Sequence, residues 1–387
     1  MSVSQIRQMA MDTLRVDTHG HLYGPIRPLN LENGLGPPMA DGCEALYGTA
    51  IERPPTEATL KRIQRLADEF RAQGRDAVFS RAFATARIKT QFCFCNYRCT
   101  DVAEKRTIWR DVRFLAYIDQ ALLGAGVSWA GVQAVVESGG SYIGALEKEH
   151  GNLSGFDSLL EIVDRSVDAW RGHGVVGMKV GLAYYDHALN IRIPSRTEAE
   201  ASFGRRERMT SGDVAVVRDF ALCHAFDACL RNGLPVVIHT GYPAGGTAFV
   251  MNTNPALMQP IFMNLRWKDL TFVILHGGYP YLGETAVLAG KIPNVVIDFT
   301  GLPTHFPTRF RSVLAEWIES VPAERFVWGS DSCAQPESIA GIDRFSRRMI
   351  ADALEREVTD GIIYENQAMR FIEAAFFRNA ERIFRLA

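Results

Sequence analysis

The chain has 387 residues, of which 47% are hydrophobic and 22% charged, with 33 Gly and 17 Pro; this is the composition of a globular protein and excludes a disordered or collagen-like one. Forty-two Lys and Arg against 44 Asp and Glu leave a formal charge of −2, without the basic excess of a nucleic-acid binder. No stretch approaches the roughly 20 apolar residues that cross a bilayer, and Met1–Thr13 lacks a signal-like apolar run, so neither a nucleic acid nor a membrane is expected as a partner and the expected location is cytoplasmic.

In chain order, Leu14-Arg-Val-Asp-Thr-His19 reads as a first strand that runs on into Gly20-His21. Residues 23–91 fit no strand–helix repeat. Gly24 to Pro38 is rich in Gly and Pro, and Thr56 to Phe70 reads as a helix with Thr56 as N-cap and Leu60, Ile63, Leu66 and Phe70 on one face. Residues 23–91 are therefore expected to be an insertion after the first strand, capping a barrel mouth and shaping substrate access. Cys93, Cys95 and Cys99 follow, a C-x-C-x₃-C trio with no paired second half, which falls short of the four-ligand rule for structural zinc. With seven cysteines in all, reduced thiols are expected.

Arg113–Ile118 reads as a further strand, and five apolar, β-branched runs complete the series: Val175–Val180, Leu234–His239, Thr271–His276, Asn294–Asp298 and Arg325–Asp331. Helix-length segments separate them. Asp213–Arg231 places Val214, Val217, Ala221, Phe226 and Leu230 at nearly helical spacing, and Asn232-Gly233 supplies a stop. Repeated strand–helix–strand units make a parallel sheet. Allowing for one or two further strands in the middle, the total is near eight, which predicts an α/β fold, a (β/α)₈ TIM-type barrel spanning residues 1–387 as one domain. No G-x-G-x-x-G follows any of these strands, and no G-x-x-x-x-G-K-[ST] occurs, so dinucleotide and P-loop readings have no support.

The polar residues fall where a barrel places its chemistry, at the strand ends. His19 and His21 share a side because strand side chains alternate with period two. His239, His276 and Asp331 end later strands, so in a closed barrel all five converge on the axis. Three or four N/O ligands with one position left open is the pattern of a catalytic zinc-type site. Lys179, inside the apolar run Val-Gly-Met-Lys-Val, needs a partner or a function. A single strand-end His is most often structural, and an Asp in such a place is often a helix N-cap; the conjunction of five is what points to a metal. His150, His173, His224 and His305 lack that placement and read as surface or structural. Tyr184, Tyr185 and His187 follow the lysine strand and are candidates to line the substrate pocket, and Gly241 to Gly246 reads as a flexible loop.

At these residues the sequence resembles the amidohydrolase superfamily, and within it the amidohydrolase-related (amidohydrolase 2) branch. Gly177–Tyr185, Leu234–Gly241 and Ile274–Phe299 look like the amidohydrolase domains found alone or fused to glutamine synthetase. The resemblance implies that His19, His21, His239 and Asp331 hold a divalent ion, zinc or manganese, with His276 close by as an acid or base. In a binuclear version Lys179, carbamylated, and His276 take part; otherwise Lys179 pairs with a substrate carboxylate. The implied activity is metal-dependent hydrolysis of an amide, lactone or related C–N or C–O bond in a small polar substrate, with Asp331, His276 and Lys179 as catalytic residues. The alternative is a metal-dependent decarboxylase or isomerase of a small carboxylic acid. A non-catalytic binding module is disfavoured because all five positions are kept. A homodimer is implied by resemblance alone.

Overall fold

The computed structural model describes residues 4–22, 24–32, 34–107, 111–123, 136–184, 189–242 and 249–386. Nine strands occur among them: β1 Arg15–His21, β2 Ile88–Cys95, β3 Val112–Tyr117, β4 Val175–Val180, β5 Val236–His239, β6 Phe272–Leu275, β7 Val295–Asp298, β8 Phe326–Val327 and β9 Ser332–Cys333. Helices alternate with them, and the fold is α/β of the TIM-barrel type. The chain forms two compact units, one of Met1–Cys93, Asp101–Arg113 and Asp298–Ala387, the other of Phe94–Thr100 and Phe114–Ile297.

In the second unit β3, β4, β5 and β6 pair in order and in parallel, and β6 pairs with β7. All residues of β4 to β6 are buried, as expected for parallel strands covered on both faces. The register sets Lys179 beside Val237 and His239 beside Leu275. β5 starts two residues later than the apolar run, at Val236: Pro235 has no N–H to give a ladder, although its carbonyl accepts from Met178 N at 2.9 Å. The expected helix is present as Ser211–Asn232, capped by the Thr210 side chain and stopped at Gly233, whose φ of 60° is left-handed.

In the first unit β1 pairs in parallel with β2 on one side and with β9 on the other. β2 does not correspond to any expected strand, and its first four residues lie inside the 23–91 interval. Ahead of it come α1 Gln5–Asp12, α2 Pro37–Tyr47, α3 Glu57–Arg71 and α4 Arg75–Ala86. α3 begins after Thr56, whose hydroxyl accepts from Thr59 N. Its buried stripe is Thr59, Ile63, Ala67 and Phe70, so Leu60 and Leu66 sit on the shoulders. Leu29, Ala40, Cys43, Ile51, Ile63 and Ala67 form a small core of their own within this region. The seven cysteines form no disulfide. Among the described residues no helix is long and apolar enough to cross a membrane.

The N-terminal end of β1 is anchored by a buried cation. The Arg15 guanidinium lies 3.6 Å from the Phe376 ring centre and 4.1 Å from that of Trp328, and it pairs with Asp343 at 2.8 Å. Asp343 belongs to the long helix α5, Pro336–Thr359. α2 crosses α5 at backbone contact. A Cβ at Gly42 would stand 2.0 Å from the Glu337 carbonyl oxygen, and one at Gly341 would stand 2.0 Å from that of Pro38. Gly42→Ala is thus expected to force the two helices apart and to cost about 2 kcal/mol or more, read as a lower urea midpoint with an unchanged slope.

Candidate metal centre

In the first unit the structure brings His19, His21 and Asp331 together. The two imidazoles lie on β1 with ring centres 5.2 Å apart, on one side of the strand as period two dictates. Asp331 Oδ1 is 3.0 Å from His21 Nε2 and 3.3 Å from His19 Nε2, and one ligand atom from each of the three falls within 4.8 Å of the others. His19 is buried, whereas the His21 and Asp331 side chains keep 24% of their surface exposed. Two neutral-capable imidazoles and a carboxylate at that spacing fit the donor set of a divalent N/O site with a solvent-facing position.

Asp331 reaches this place because the expected strand Arg325–Asp331 does not run straight. β8 stops at Val327, and Asp331 adopts φ 57°, a left-handed conformation uncommon outside Gly. The turn lets Asp331 N donate to His19 O at 2.8 Å and lays β9 beside Gly20 and His21. It also demands glycine at 329, where a Cβ would lie 2.8 Å from His19 Cβ and 2.3 Å from Thr300 Oγ1.

Beneath the cluster sits Asp17, fully buried. Its carboxylate accepts from Ser330 N at 2.8 Å, Ser330 Oγ at 2.6 Å, Gln91 Nε2 at 2.6 Å and His19 N at 3.2 Å. Burial pushes its carboxyl up to about 6, against the pull of the Ser330 and Gln91 donors. Thr18 on the other side donates to Asp298 at 2.6 Å.

In the second unit His239, His276, Lys179 and Tyr184 form another group. The His239 and His276 ring centres are 4.8 Å apart, edge to face, and the Tyr184 ring lies 4.0 Å from His239. Lys179, completely buried, places Nζ 5.0 Å from the centre of the Phe94 ring and 5.8 Å from that of Tyr184, within cation–π range. His276 is not the last residue of a strand as expected. It has φ 61° and opens a turn after Leu275, a second left-handed non-glycine beside a candidate site. His239 Nε2 lies 3.2 Å from the Tyr242 carbonyl. Tyr185, His187 and Ala244–Gly246 lie outside the described residues.

Sequence reasoning passed over Asp17, Gln91 and Asp119. Asp119 ends the apolar run after β3 and accepts from Gly181 N at 2.7 Å, the same strand-end signal that marked His239. Asp17 shares the period-two side of His19 and His21. Nothing in the sequence marks Gln91, because β2 itself carries a mixed pattern.

Comparison with known proteins decides the family. The amidohydrolase family model matches residues 146–386, an interval that holds Lys179, His239, His276 and Asp331. The chain belongs to the amidohydrolase family. β1, outside the matched interval, joins it through the contact of His19 and His21 with Asp331. Protein fluG of Emericella nidulans is 29% identical over 304 residues, which cover 72% of this amidohydrolase and 33% of that protein; the chain thus spans about a third of the length of this curated relative. A proposed metal-dependent hydrolase from Lactobacillus casei is similar in structure, with a TM-score of 0.67, 18% identity and coverage of 99% and 98% of the two chains. A uronate isomerase from Thermotoga maritima gives a TM-score of 0.71 at 12% identity, covering 98% and 96%. At such identities these two likenesses show the fold.

Gly329→Ala in this amidohydrolase is expected to displace His19 and lower divalent-metal affinity by about 10- to 100-fold, the usual cost of disturbing a ligand's support. Competition against a chromophoric chelator measures the loss, and circular dichroism checks that the fold is retained.

Proposed function

We propose that the protein is a metal-dependent hydrolase of an amide, lactone or related C–N or C–O bond in a small polar substrate. The observation that carries this reading is the cluster of His19, His21 and Asp331, one carboxylate oxygen within 3.3 Å of two imidazole nitrogens. Family membership supports it. On the resemblance, His239 joins these three as a ligand, and zinc or manganese is the ion. When bound, such an ion lowers the pKa of water from about 15.7 to about 7 and polarises a carbonyl.

The chain's own groups would do the rest. Asp331, partly exposed and held by its backbone N–H on His19 O, is the proton acceptor for an attacking water, and His276 is the donor to the leaving group. Tyr184, stacked on His239, is proposed to hold the substrate in line, together with Tyr185 and His187. Lys179 is proposed either to pair with a substrate carboxylate or to take part, carbamylated, in a binuclear centre.

Protein purified without added metal is expected to carry about one equivalent of divalent ion by elemental analysis, or about two if Lys179 is a bridging carbamate. Chelation is expected to abolish hydrolysis of a responsive amide or lactone, and Zn²⁺ or Mn²⁺ to restore it. Asp331→Ala is expected to lose metal and activity together, as is His239→Ala. Full activity of either variant at normal metal content would overturn the ligand assignment; release of CO₂ from an acid substrate, without hydrolysis of any ester or amide, would replace the hydrolase by a decarboxylase.

A further inference from the structure

The second unit contains a cavity that holds none of the residues assigned to the metal centre. It measures about 290 Å³ and lies among Tyr97-Arg98, His150 and the helix Phe156–Trp170, with His173 just beyond that helix. Four of its lining residues are nitrogen bases, Arg98, His150, Arg165 and His173, and no carboxylate lines it. Trp170, fully buried, and Tyr97 form an apolar wall.

The frame of the cavity is fixed by hydrogen bonds. Trp170 Nε1 donates to Tyr97 O at 2.8 Å, the Tyr97 hydroxyl donates to Glu149 Oε1 at 2.9 Å, and it lies 3.2 Å from His150 Nδ1. His150 Nε2 faces the Ala121 carbonyl at 2.8 Å, an atom to which it can only donate. Arg98 donates to Glu149 O at 2.6 Å and pairs with its carboxylate at 3.1 Å; a guanidinium has five N–H donors, more than Glu149 uses. Burial lowers the pKa of His150; the bond to the Ala121 carbonyl and the charge of Glu149 oppose that shift, and the charges of Arg98 and Arg165 add to it. A concave site with a hydrogen-bonded frame, one apolar wall and the exposed cationic side chain of Arg165 at its edge matches an anion carried on an apolar body.

We propose that this cavity binds a small organic anion, a carboxylate or phosphate monoester on an apolar body, at a site distinct from the residues assigned to catalysis. The volume suits a molecule of about ten to fifteen non-hydrogen atoms, near the lower bound of small-molecule pockets. The inference does not rest on the hydrolase reading.

Calorimetric titration of the full chain with benzoate, phenyl phosphate and inorganic phosphate tests it, using both native and chelator-treated protein. One saturable site per chain is expected for benzoate or phenyl phosphate, with Kd on the order of 0.1 mM and weaker binding as salt rises. The better of the two names the anion class. Arg165→Gln with His173→Gln is expected to weaken binding at least tenfold, and Ala169→Phe, which fills the cavity without changing its charge, to abolish it, each with an unchanged circular dichroism spectrum. Unchanged affinity in either variant would overturn the site. So would the absence of saturable binding by any of the three probes, or its disappearance on removal of metal. Inorganic phosphate binding as tightly as phenyl phosphate would overturn the apolar body.

Discussion

The buried carboxylate of Asp17 ties the first strand to the turn that carries Asp331. It receives two donors from Ser330, one from the side chain of Gln91 and one from the backbone of His19, so three separate chain segments are referred to one charge. Unpaired, such a group would be a heavy penalty; satisfied on all sides, it is a stiff joint. Ser330 passes the constraint on through its hydroxyl, which bonds Ser332 Oγ at 2.7 Å and accepts from Ser332 N at 2.9 Å. The residue between them, Asp331, has little choice but the left-handed conformation that swings its carboxylate onto His19 and His21. Preorganisation of this kind is what a metal site requires of its surroundings.

A second set of contacts fastens the region between β1 and β2 to the segment just beyond Asp331. Arg27 N donates to Ala334 O at 2.8 Å and Gln335 Nε2 donates to Pro28 O at 3.2 Å, so the loop after β1 runs along the segment just beyond Asp331. Behind it, Arg71 grips the buried Glu337 through two N–H groups at 2.6 and 2.9 Å, and Tyr47 donates to the same carboxylate. Helices α2 and α3 are thereby fastened to the start of α5, and the loop they support is held near the cluster.

Much of this was legible in the sequence. β-Branched runs mark seven of the nine strands among the described residues, and period two puts His19 and His21 on one side. What escaped has physical causes. β2 is hidden because Lys89, Thr90 and Gln91 interrupt its apolar pattern. β9 is two residues long and exists only because Asp331 turns the chain. The left-handed backbone of Asp331 and His276 leaves no trace in residue type, since such conformations in non-glycine residues are imposed by surrounding contacts. In α3 the fully buried stripe runs through Thr59 and Ala67, with Leu66 packed against the same core only in part and Leu60 half-buried.

His19, His21 and Asp331 are proposed to bind a divalent ion as a set. Anomalous diffraction from crystals grown with zinc, recorded on both sides of the zinc edge, tests this directly. The expected result is a peak about 2.0–2.2 Å from His19 Nε2, His21 Nε2 and an Asp331 carboxylate oxygen. A well-occupied zinc peak on Cys93, Cys95 or Cys99 with none at the His19–His21–Asp331 cluster would rule out that site.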